Sequence, residues 1–215
     1  MKPRVKICCI SSLAEAKLAI QVGAAALGLV GNMPSGPGII HDELIALIAK
    51  AVPPPISTFL LTSETRPEAI IAHHQRVHTT TVQIVDALSE GSYHQIREAL
   101  PGVKLVQVIH VLDEKTVEEA IQAAEFVDAI LLDSGNPNLQ IKELGGTGRV
   151  HNWAISRKIR ESIRVPLFLA GGLNVHNVRE ALETVEPFGL DLCSSVRTNG
   201  QLDPEKLEAF FAAID

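Results

Sequence analysis

Residues 167–174 read Leu-Phe-Leu-Ala-Gly-Gly-Leu-Asn, an apolar run followed by two glycines and then an asparagine in front of an amphipathic stretch. A short apolar run is typical of a strand that is buried on both faces, and asparagine commonly begins a helix. Gly171 and Gly172 supply the turn between the two. The segment therefore predicts one strand–loop–helix unit of a parallel α/β fold.

The same unit recurs from one end of the chain to the other. Short apolar runs predict eight strands, at residues 5–10, 26–30, 57–61, 81–85, 105–110, 129–133, 167–170 and 190–194. Apolar residues at helical spacing predict helices near residues 12–22, 42–51, 66–77, 92–99, 115–124, 152–163, 174–185 and 204–214. Helix starts are predicted at Asp42, Asn152, Asn174 and Asp203.

Eight strands, each followed by a helix, fit a closed barrel or an open doubly wound sheet. The count of eight favours the barrel. A nucleotide-binding sheet would also carry G-x-G-x-x-G after its first strand, where Cys8-Cys9-Ile10-Ser11 stands instead. A chain of 215 residues has the length of one such barrel, and no linker interrupts it. The sequence predicts a single (β/α)8 TIM barrel domain over residues 1–215.

Composition narrows the partners and the compartment. The net charge is −6 with no block of Lys or Arg, which argues against a nucleic acid or an anionic membrane as partner. The chain start does not resemble a signal peptide, and no apolar run of about 18 residues predicts a membrane span. Cys8 and Cys9 would point to opposite faces of a strand, and with Cys193 they suggest no disulfide framework. We therefore expect a cytoplasmic protein.

Two loops near the end of the chain carry the clearest functional signal. In such a barrel the chemistry lies at the carboxyl ends of the strands. Gly171 and Gly172 allow close approach of backbone N–H groups to a ligand, and a helix start at Asn174 adds partial positive charge. Ser194 and Ser195 add N–H and hydroxyl donors from the neighbouring strand. A plain tight turn is the alternative, but the two loops together predict a phosphate site.

Cys8 and Asp133 are the predicted acid–base pair. Cys8 shares strand parity with Lys6, so both side chains are expected inside the barrel, where a thiol near positive charge ionises and accepts a proton. Asp133 ends an apolar strand, where burial raises the pKa of a carboxyl group enough for it to act as an acid. The alternatives are a cysteine that only packs and an aspartate that only caps a turn.

Other polar residues at the barrel mouth give weaker signals. Lys6 and Asp191 lie on strands that meet when the barrel closes, and they predict a buried ion pair, because either charge alone would be costly there. A Schiff base on Lys6 is the less favoured alternative. Gln83 lies on the fourth strand, and His110 at the end of the fifth is expected to be a hydrogen-bonded rim residue more often than a base. Histidine and cysteine spacings match no zinc motif, so no metal is expected.

Several of these segments resemble the phosphoribosylanthranilate isomerase family. Residues 5–10, Val-Lys-Ile-Cys-Cys-Ile, resemble the family's opening Val-Lys-Ile-Cys-Gly-Ile, and residues 23–30 resemble its second-strand segment. Further matches follow in order: Leu131-Leu132-Asp133-Ser134, Gly145-Gly146-Thr147-Gly148, Asn152-Trp153, Leu169-Ala170-Gly171-Gly172-Leu173-Asn174, Asp191 with Ser194, and Gly200. The likeness spans nearly the whole chain.

The resemblance implies an aldose–ketose isomerase, an intramolecular oxidoreductase of tryptophan biosynthesis. Its reaction is the Amadori rearrangement of N-(5-phosphoribosyl)anthranilate to a 1-deoxyribulose 5-phosphate, without a cofactor. Asp133 would protonate the furanose ring oxygen, and Cys8 would remove the proton from sugar C2. The residues implied to hold the phosphate are Gly171, Gly172, Ser194 and Ser195. The partner expected is this small phosphorylated sugar, bound by a monomer or a homodimer.

The sequence also departs from the family pattern. The family's Ser-x-Arg-x-Ile loop, whose Arg pairs with the anthranilate carboxylate, reads Ser-Gly-Pro-Gly-Ile at 35–39, with Pro37 in the arginine's place. The strand-four Gln-Leu-His-Gly reads Gln-Ile-Val-Asp at 83–86, so Val85 replaces its histidine. Cys9 replaces a glycine, and the strand-eight Ser-Ser-Gly-Val-Glu reads Cys-Ser-Ser-Val-Arg at 193–197. From their loop positions, we expect Arg149 or Arg197 to supply the missing positive charge.

These departures leave two other functions open. One is an isomerase or epimerase of another aminated sugar phosphate, prompted by Pro37 and Val85. The other is a barrel that binds a phosphorylated ligand as a sensor or scaffold without turnover. The Cys8 thiol separates an enzyme from a binder, because a binding module has no need of a reactive thiol.

Overall fold

Strands and helices alternate along the chain in the structure, a computed structural model that describes residues 3–145 and 148–215. The barrel strands are β1 (Arg4–Ile7), β2 (Ala26–Val30), β3 (Ser57–Thr62), β4 (Thr81–Ile84), β5 (Lys104–His110), β6 (Ala129–Asp133), β7 (Leu167–Leu169) and β8 (Gly189–Leu192). The helices are α1 (Leu13–Val22), α2 (Asp42–Ala51), α3 (Pro67–Val77), α4 (Tyr93–Ala99), α5 (Lys115–Ala124), α6 (Trp153–Ser162), α7 (Val178–Val185) and α8 (Pro204–Ile214). Gly146 and Thr147 of the Gly-Gly-Thr-Gly segment lie outside the described residues.

Parallel pairing closes the strands into a barrel. Each strand pairs with the next, and β1 pairs with β8, with Lys6 opposite Asp191 and Ile7 opposite Leu192. The predicted (β/α)8 barrel is confirmed. In the part of the chain that the structure describes, no helix is both long and apolar enough to cross a bilayer.

Alternation along the strands divides the core into two layers. Val106 and Val108 of β5 belong to the cluster inside the barrel, whereas Ile130 and Leu132 of β6 pack against the helices outside it. Successive strand side chains point to opposite faces, so each strand contributes to both layers. The inner layer fills the barrel below its mouth, so a ligand site is confined to the mouth itself.

The largest differences from the prediction are two element boundaries and one additional hairpin. β1 ends at Ile7 instead of residue 10, because Cys9 adopts a left-handed backbone with φ of 62°. α7 begins at Val178 instead of near Asn174, whose side-chain oxygen accepts the His176 N–H and holds the intervening residues in a turn. Past β8, a short 3₁₀ turn (Ser194–Val196) leads into a hairpin of β9 (Arg197–Thr198) and β10 (Gln201–Leu202) that the periodicity did not predict.

Candidate active site

A cavity of about 490 Å³ lies at the carboxyl ends of the barrel strands. Its volume is in the range of small-molecule sites, about 300–1,000 Å³. Eight of the eleven candidate site residues line it: Cys8, Gln83, Asp133, Gly171, Gly172, Asn174, Ser194 and Ser195. The structure therefore brings residues from both ends of the sequence into one pocket.

The loop after β7 and the turn after β8 form the side of the cavity where the sequence predicts a phosphate, which we call the phosphate side. Gly171 and Gly172 have φ of 82° and 64°, which side chains rarely tolerate. A Cβ at Gly172 would lie 2.7 Å from the Arg149 carbonyl carbon. Asn174 does not cap α7 as predicted; its side-chain amide donates to the Gly172 carbonyl at 3.1 Å and so fixes the loop. Within the described residues, the buried Ser195 Oγ has no hydrogen-bond partner.

An unpartnered buried hydroxyl is costly, by about 1–3 kcal/mol. Lys206 lines the same side of the cavity from the first turn of α8, with its ammonium 2.9 Å from the Arg197 carbonyl oxygen. A hydroxyl donor and a cation beside two glycines form a suitable environment for a phosphate.

The acid–base candidates line the floor of the cavity. Asp133 Oδ1 accepts the Ser134 N–H at 2.7 Å, and a Cβ on Gly145 would come within 2.8 Å of Oδ2, so backbone packs closely over this carboxyl group. Burial raises the pKa of Asp133 above its ordinary value, against smaller opposite effects of the Ser134 amide, His110 and Lys6. A carboxyl group with a raised pKa stays protonated to higher pH, as a general acid requires.

Lys6 and Asp191 form the predicted buried ion pair, with 2.8 Å between Nζ and Oδ1 and a fully buried ammonium. Burial alone would lower the pKa of Lys6, but Asp191 and then Cys8 raise it above its ordinary value. A Cβ at Gly28 would lie within about 3 Å of both the Cys8 Sγ and the Lys6 Nζ, so the thiol and the ammonium share this corner of the barrel. The candidate base therefore lies beside a buried positive charge.

The prediction that Cys8 and Cys9 point to opposite faces was wrong. Because β1 ends at Ile7 and Cys9 is left-handed, both thiols line the cavity. Cys9 Sγ lies 2.8 Å from Cys193 Sγ and 3.5 Å from the Pro37 carbonyl oxygen. Glycine adopts this backbone conformation without strain, which explains why the family pattern has a glycine where this chain has Cys9.

We call the other side of the cavity the aglycone side. It is formed by the end of β2 and the loop after it, by the ends of β3 and β4, and by the loop after β6. Its lining residues are Val30, Met33, Ser35, Gly36, Pro37, Leu61, Gln83 and Leu144. Ser35 Oγ donates to the Lys142 carbonyl at 2.5 Å and so joins the two loops. The side chain of Lys142 forms an ion pair with Asp86, directly past the end of β4. In the described residues, no side chain of this lining set is charged.

Three candidate residues lie outside the cavity lining. His110 Nε2 hydrogen-bonds to the Val85 carbonyl at 3.0 Å, as expected of a rim residue. Arg149 forms an ion pair with Glu143 on the loop after β6. Arg197 was expected as a substrate contact, but its guanidinium donates to Glu15 at 2.9 Å and to the Cys9 carbonyl at 2.6 Å, and its side chain is 7% exposed.

The expectation for Arg197 is therefore corrected: its hydrogen bonds hold the loop after β1 against the segment after β8. Glu15 also accepts the Leu202 and Ser11 N–H groups. Burial acts to raise the pKa of Glu15, but Arg197 and these backbone donors lower it below its ordinary value. The buried Arg197–Glu15 ion pair therefore connects parts of the protein around the site, and Arg197 does not line the cavity.

Cys9, Cys193, His176 and Lys206 line the cavity but were not among the candidate residues. Lys206 follows the predicted helix start at Asp203-Pro204, so its place at the barrel mouth was open to inference from the (β/α)8 order. Cys193 directly precedes the predicted site residue Ser194, so its place at the barrel mouth could be inferred in the same way. No sequence signal indicated the inward turn of Cys9.

The fold and the cavity are those of an enzyme barrel with its pocket at the carboxyl ends of the strands. The family model described as N-(5'-phosphoribosyl)anthranilate isomerase matches residues 5–213. An isomerase of that name from Methanosarcina mazei is 34% identical over 209 residues, 96% of this chain and 92% of its own. The chain therefore belongs to the N-(5'-phosphoribosyl)anthranilate isomerase family.

Solved structures agree with this assignment. The Thermotoga maritima phosphoribosyl anthranilate isomerase superposes with a TM-score of 0.81 at 30% identity, covering 99% of this chain and 98% of its own. A phosphoribosyl anthranilate isomerase in complex with reduced 1-(o-carboxyphenylamino)-1-deoxyribulose 5-phosphate superposes with a TM-score of 0.79 at 28% identity and the same coverage.

Proposed function

We propose that the protein catalyses the Amadori rearrangement of N-(5'-phosphoribosyl)anthranilate to 1-(o-carboxyphenylamino)-1-deoxyribulose 5-phosphate. The observation that carries the proposal is one cavity lined by Cys8, by Asp133 and by the loops after β7 and β8. The reaction needs an acid, a base and a phosphate anchor, and the residues that we propose for these roles all line this pocket. The structure of a family member with the reduced product bound supports the same substrate class.

In the proposed mechanism Asp133 begins as the acid. Its proton passes to the furanose ring oxygen, the bond from that oxygen to C1 breaks, and the anthranilate nitrogen and C1 form an iminium. The Cys8 thiolate then takes the proton from C2, and the electron pair of that C–H bond neutralises the iminium to give an enolamine. Protonation of C1 and loss of the C2 hydroxyl proton complete the ketose. C1 is reduced and C2 oxidised within one molecule, so the electrons balance without a cofactor.

The phosphate is proposed to bind between Gly171, Gly172 and the turn at Ser194 and Ser195. Ser195 Oγ is the available donor, and Lys206 contributes a positive charge. Holding the phosphate fixes the sugar carbons relative to the acid and the base, and positioning of this kind lowers the barrier substantially.

Recognition of the anthranilate carboxylate is proposed to use the loop after β6. Arg149 and Lys142 both lie on this loop, paired with Glu143 and Asp86. Their side chains are 58% and 46% exposed, so either can exchange its carboxylate partner for that of a ligand at modest cost. Gln83, whose buried Oε1 has no partner among the described residues, is proposed to accept a hydrogen bond from the substrate.

A second candidate function is isomerisation of a different aminated sugar phosphate. The observation that favours it is the uncharged lining of the aglycone side, with Pro37 where the family carries an arginine. The acid, the base and the phosphate anchor would be unchanged, and only the group on the nitrogen would differ.

We further propose that residues 1–215 act as one barrel domain, as a monomer or a homodimer in the cytoplasm. Three free cysteines suit a reducing compartment.

Growth of a tryptophan auxotroph that lacks this isomerase tests the proposal. The wild-type chain is expected to restore growth without tryptophan, and the Asp133→Asn variant, expressed at the same level, is not. If the folded wild-type protein fails to restore growth, the anthranilate substrate is excluded and the second candidate function is favoured.

A further inference from the structure

More cysteine thiols line the cavity than the proposed reaction uses. All three cysteines of the chain, Cys8, Cys9 and Cys193, line it, and the mechanism assigns a role only to Cys8. Cys9 and Cys193 are free thiols whose sulfur atoms lie 2.8 Å apart. Two thiols in contact at the mouth of an open cavity are accessible to small reagents that enter it.

The backbone brings these two sulfurs together. Cys9 adopts a left-handed backbone with φ of 62°, a conformation that residues other than glycine rarely adopt. Its side chain occupies the space beneath the loop after β2, where a Cβ on Gly38 would lie 2.4 Å from the Cys9 Cβ. This left-handed residue is the one whose thiol lies 2.8 Å from the Cys193 sulfur.

The positions of the two sulfur atoms make a covalent bond between them feasible. Ile7 pairs with Leu192, and the Cys8 N–H donates to the Leu192 carbonyl at 2.7 Å, so the ends of β1 and β8 are held together next to both cysteines. The Cys9 and Cys193 sulfurs lie 2.8 Å apart, against about 2.05 Å in a disulfide, so closing the bond needs a shift of less than about 1 Å. Cys9 and Cys193 are therefore within reach of one another without a change in the barrel.

The surroundings divide the roles between the two thiols. Contact with Cys9 lowers the pKa of Cys193, and the Arg197 and Lys6 charges act in the same direction, against burial and the Asp191 charge. Contact with Cys193 and with Cys8, followed by burial, raises the pKa of Cys9. Cys193 is also the more accessible of the two, being half-buried where Cys9 is buried. The thiolate is the nucleophile, so Cys193 is the sulfur that reacts first.

We propose that Cys9 and Cys193 are a peroxide-reactive pair that closes reversibly to a disulfide across the mouth of the cavity. The Cys193 thiolate attacks the O–O bond of hydrogen peroxide or an organic hydroperoxide, forming a sulfenic acid while hydroxide or alkoxide leaves. The Cys9 sulfur then attacks the sulfenic sulfur, and its proton leaves with the hydroxyl group as water. Two thiols are oxidised by two electrons, and one peroxide is reduced.

Peptide mapping of the full-length protein tests this proposal. The protein is treated with equimolar hydrogen peroxide, remaining thiols are alkylated with iodoacetamide, and the chain is digested with trypsin without reductant. Cys8 and Cys9 lie in peptide 7–17, and Cys193 lies in peptide 180–197. The expected product is these two peptides cross-linked, with one alkylated cysteine. Dithiothreitol is expected to restore three alkylatable thiols, because a disulfide is reducible whereas a sulfinic acid is not.

Two variants identify the cysteines involved. Cys8→Ser is expected to cross-link as well as the wild type, whereas Cys9→Gly is expected to lose the cross-link about tenfold or more. Cys9→Gly also relieves the left-handed backbone, which offsets the loss of a small buried side chain, so the variant is expected to fold. The proposal is overturned if the wild type keeps three alkylatable thiols, if Cys9→Gly still cross-links through Cys8, or if the cross-link joins two chains on a non-reducing gel.

Discussion

The phosphate side and the aglycone side of the cavity are built on different principles. The phosphate side depends on backbone geometry: two left-handed glycines, a turn held by Asn174, and a hydroxyl at Ser195. The aglycone side depends on side chains, and its lining, which includes Pro37, is neutral. Backbone geometry tolerates few substitutions, whereas side chains on exposed loops exchange readily. We therefore expect the proposed phosphate site to tolerate few substitutions and the aglycone side to tolerate more.

Loss of Arg197 tests whether it belongs to the scaffold or to the aglycone side. We expect Arg197→Ala to lower the free energy of unfolding by about 3 kcal/mol, because Glu15 is left buried without its cation. Urea denaturation at neutral pH measures the change. Arg149→Ala is the matched control, since its exposed ion pair with Glu143 is worth less than about 1 kcal/mol. If the Arg197→Ala protein is as stable as the wild type and only its KM is raised, Arg197 is a substrate contact and not part of the scaffold.

The left-handed glycines offer the sharpest test of the phosphate side. Gly172→Ala is expected to lower kcat/KM by about 10- to 100-fold, since its Cβ would meet the backbone of Arg149 and displace the loop. Gly200→Ala is the control, because Gly200 has φ of 80° and nothing within 4 Å of the added Cβ. Steady-state kinetics on both variants separates loop displacement from backbone strain. Equal losses would mean that strain alone, and not the cradle, accounts for the effect.

An uncharged histidine beneath the phosphate loop predicts how stability depends on pH. Burial lowers the pKa of His151 from its ordinary value to about 4. Below pH 6.5 the unfolded chain binds a proton that the folded one does not, so stability is lost as the pH falls from 6.5 towards 4. Allowing for partial exposure, we expect a loss of about 1 kcal/mol between pH 7 and pH 5 from this residue.

The His151→Gln variant isolates that contribution. Glutamine is neutral at both pH values and retains a hydrogen-bonding group towards Ser156, whose hydroxyl lies 2.8 Å from the His151 Nε2. Urea unfolding of both proteins at pH 7 and pH 5 gives the comparison. An identical pH dependence in the two would show that His151 is not held neutral.

Restoring an arginine to the aglycone side is expected to have the smallest effect. Pro37→Arg should lower KM for the anthranilate substrate about fivefold, about 1 kcal/mol, by adding a partner for its carboxylate. Pro34→Arg is the control, since it adds the same charge to the same loop at a position outside the cavity lining. If KM responds equally to both variants, the gain is a long-range effect of charge and not a contact.

The fold and most of the site could be predicted from the sequence, for reasons visible in particular residues. Leu167–Leu169 followed by Gly171 and Gly172 encodes strand and turn locally, and the (β/α)8 order then fixes which end of the barrel they occupy. Asp133 was identified in the same way, from the end of an apolar strand. For these residues, the local sequence pattern and the order of elements in a (β/α)8 barrel were enough to predict their place at the barrel mouth.

The remaining features depend on contacts or angles that no local pattern contains. Arg197 pairs with Glu15 across 182 residues of sequence, so its loop position suggested a ligand contact where the structure has a scaffold. The direction of the Cys9 side chain follows from one backbone angle, and the alternation rule for strands predicted the wrong direction.

The β9–β10 hairpin, in contrast, has a local signal in the sequence that hydrophobic periodicity does not detect. Asn199-Gly200 is a typical two-residue hairpin turn.

The most direct test is turnover by the purified protein, followed by loss of fluorescence from N-(5'-phosphoribosyl)anthranilate. We expect the wild type to consume this substrate, and Asp133→Asn and Cys8→Ser each to lower kcat by about 10²- to 10⁴-fold with little change in KM, because both leave the phosphate side intact. A folded wild-type protein without turnover, or an Asp133→Asn variant as fast as the wild type, would contradict the assignment of acid and base.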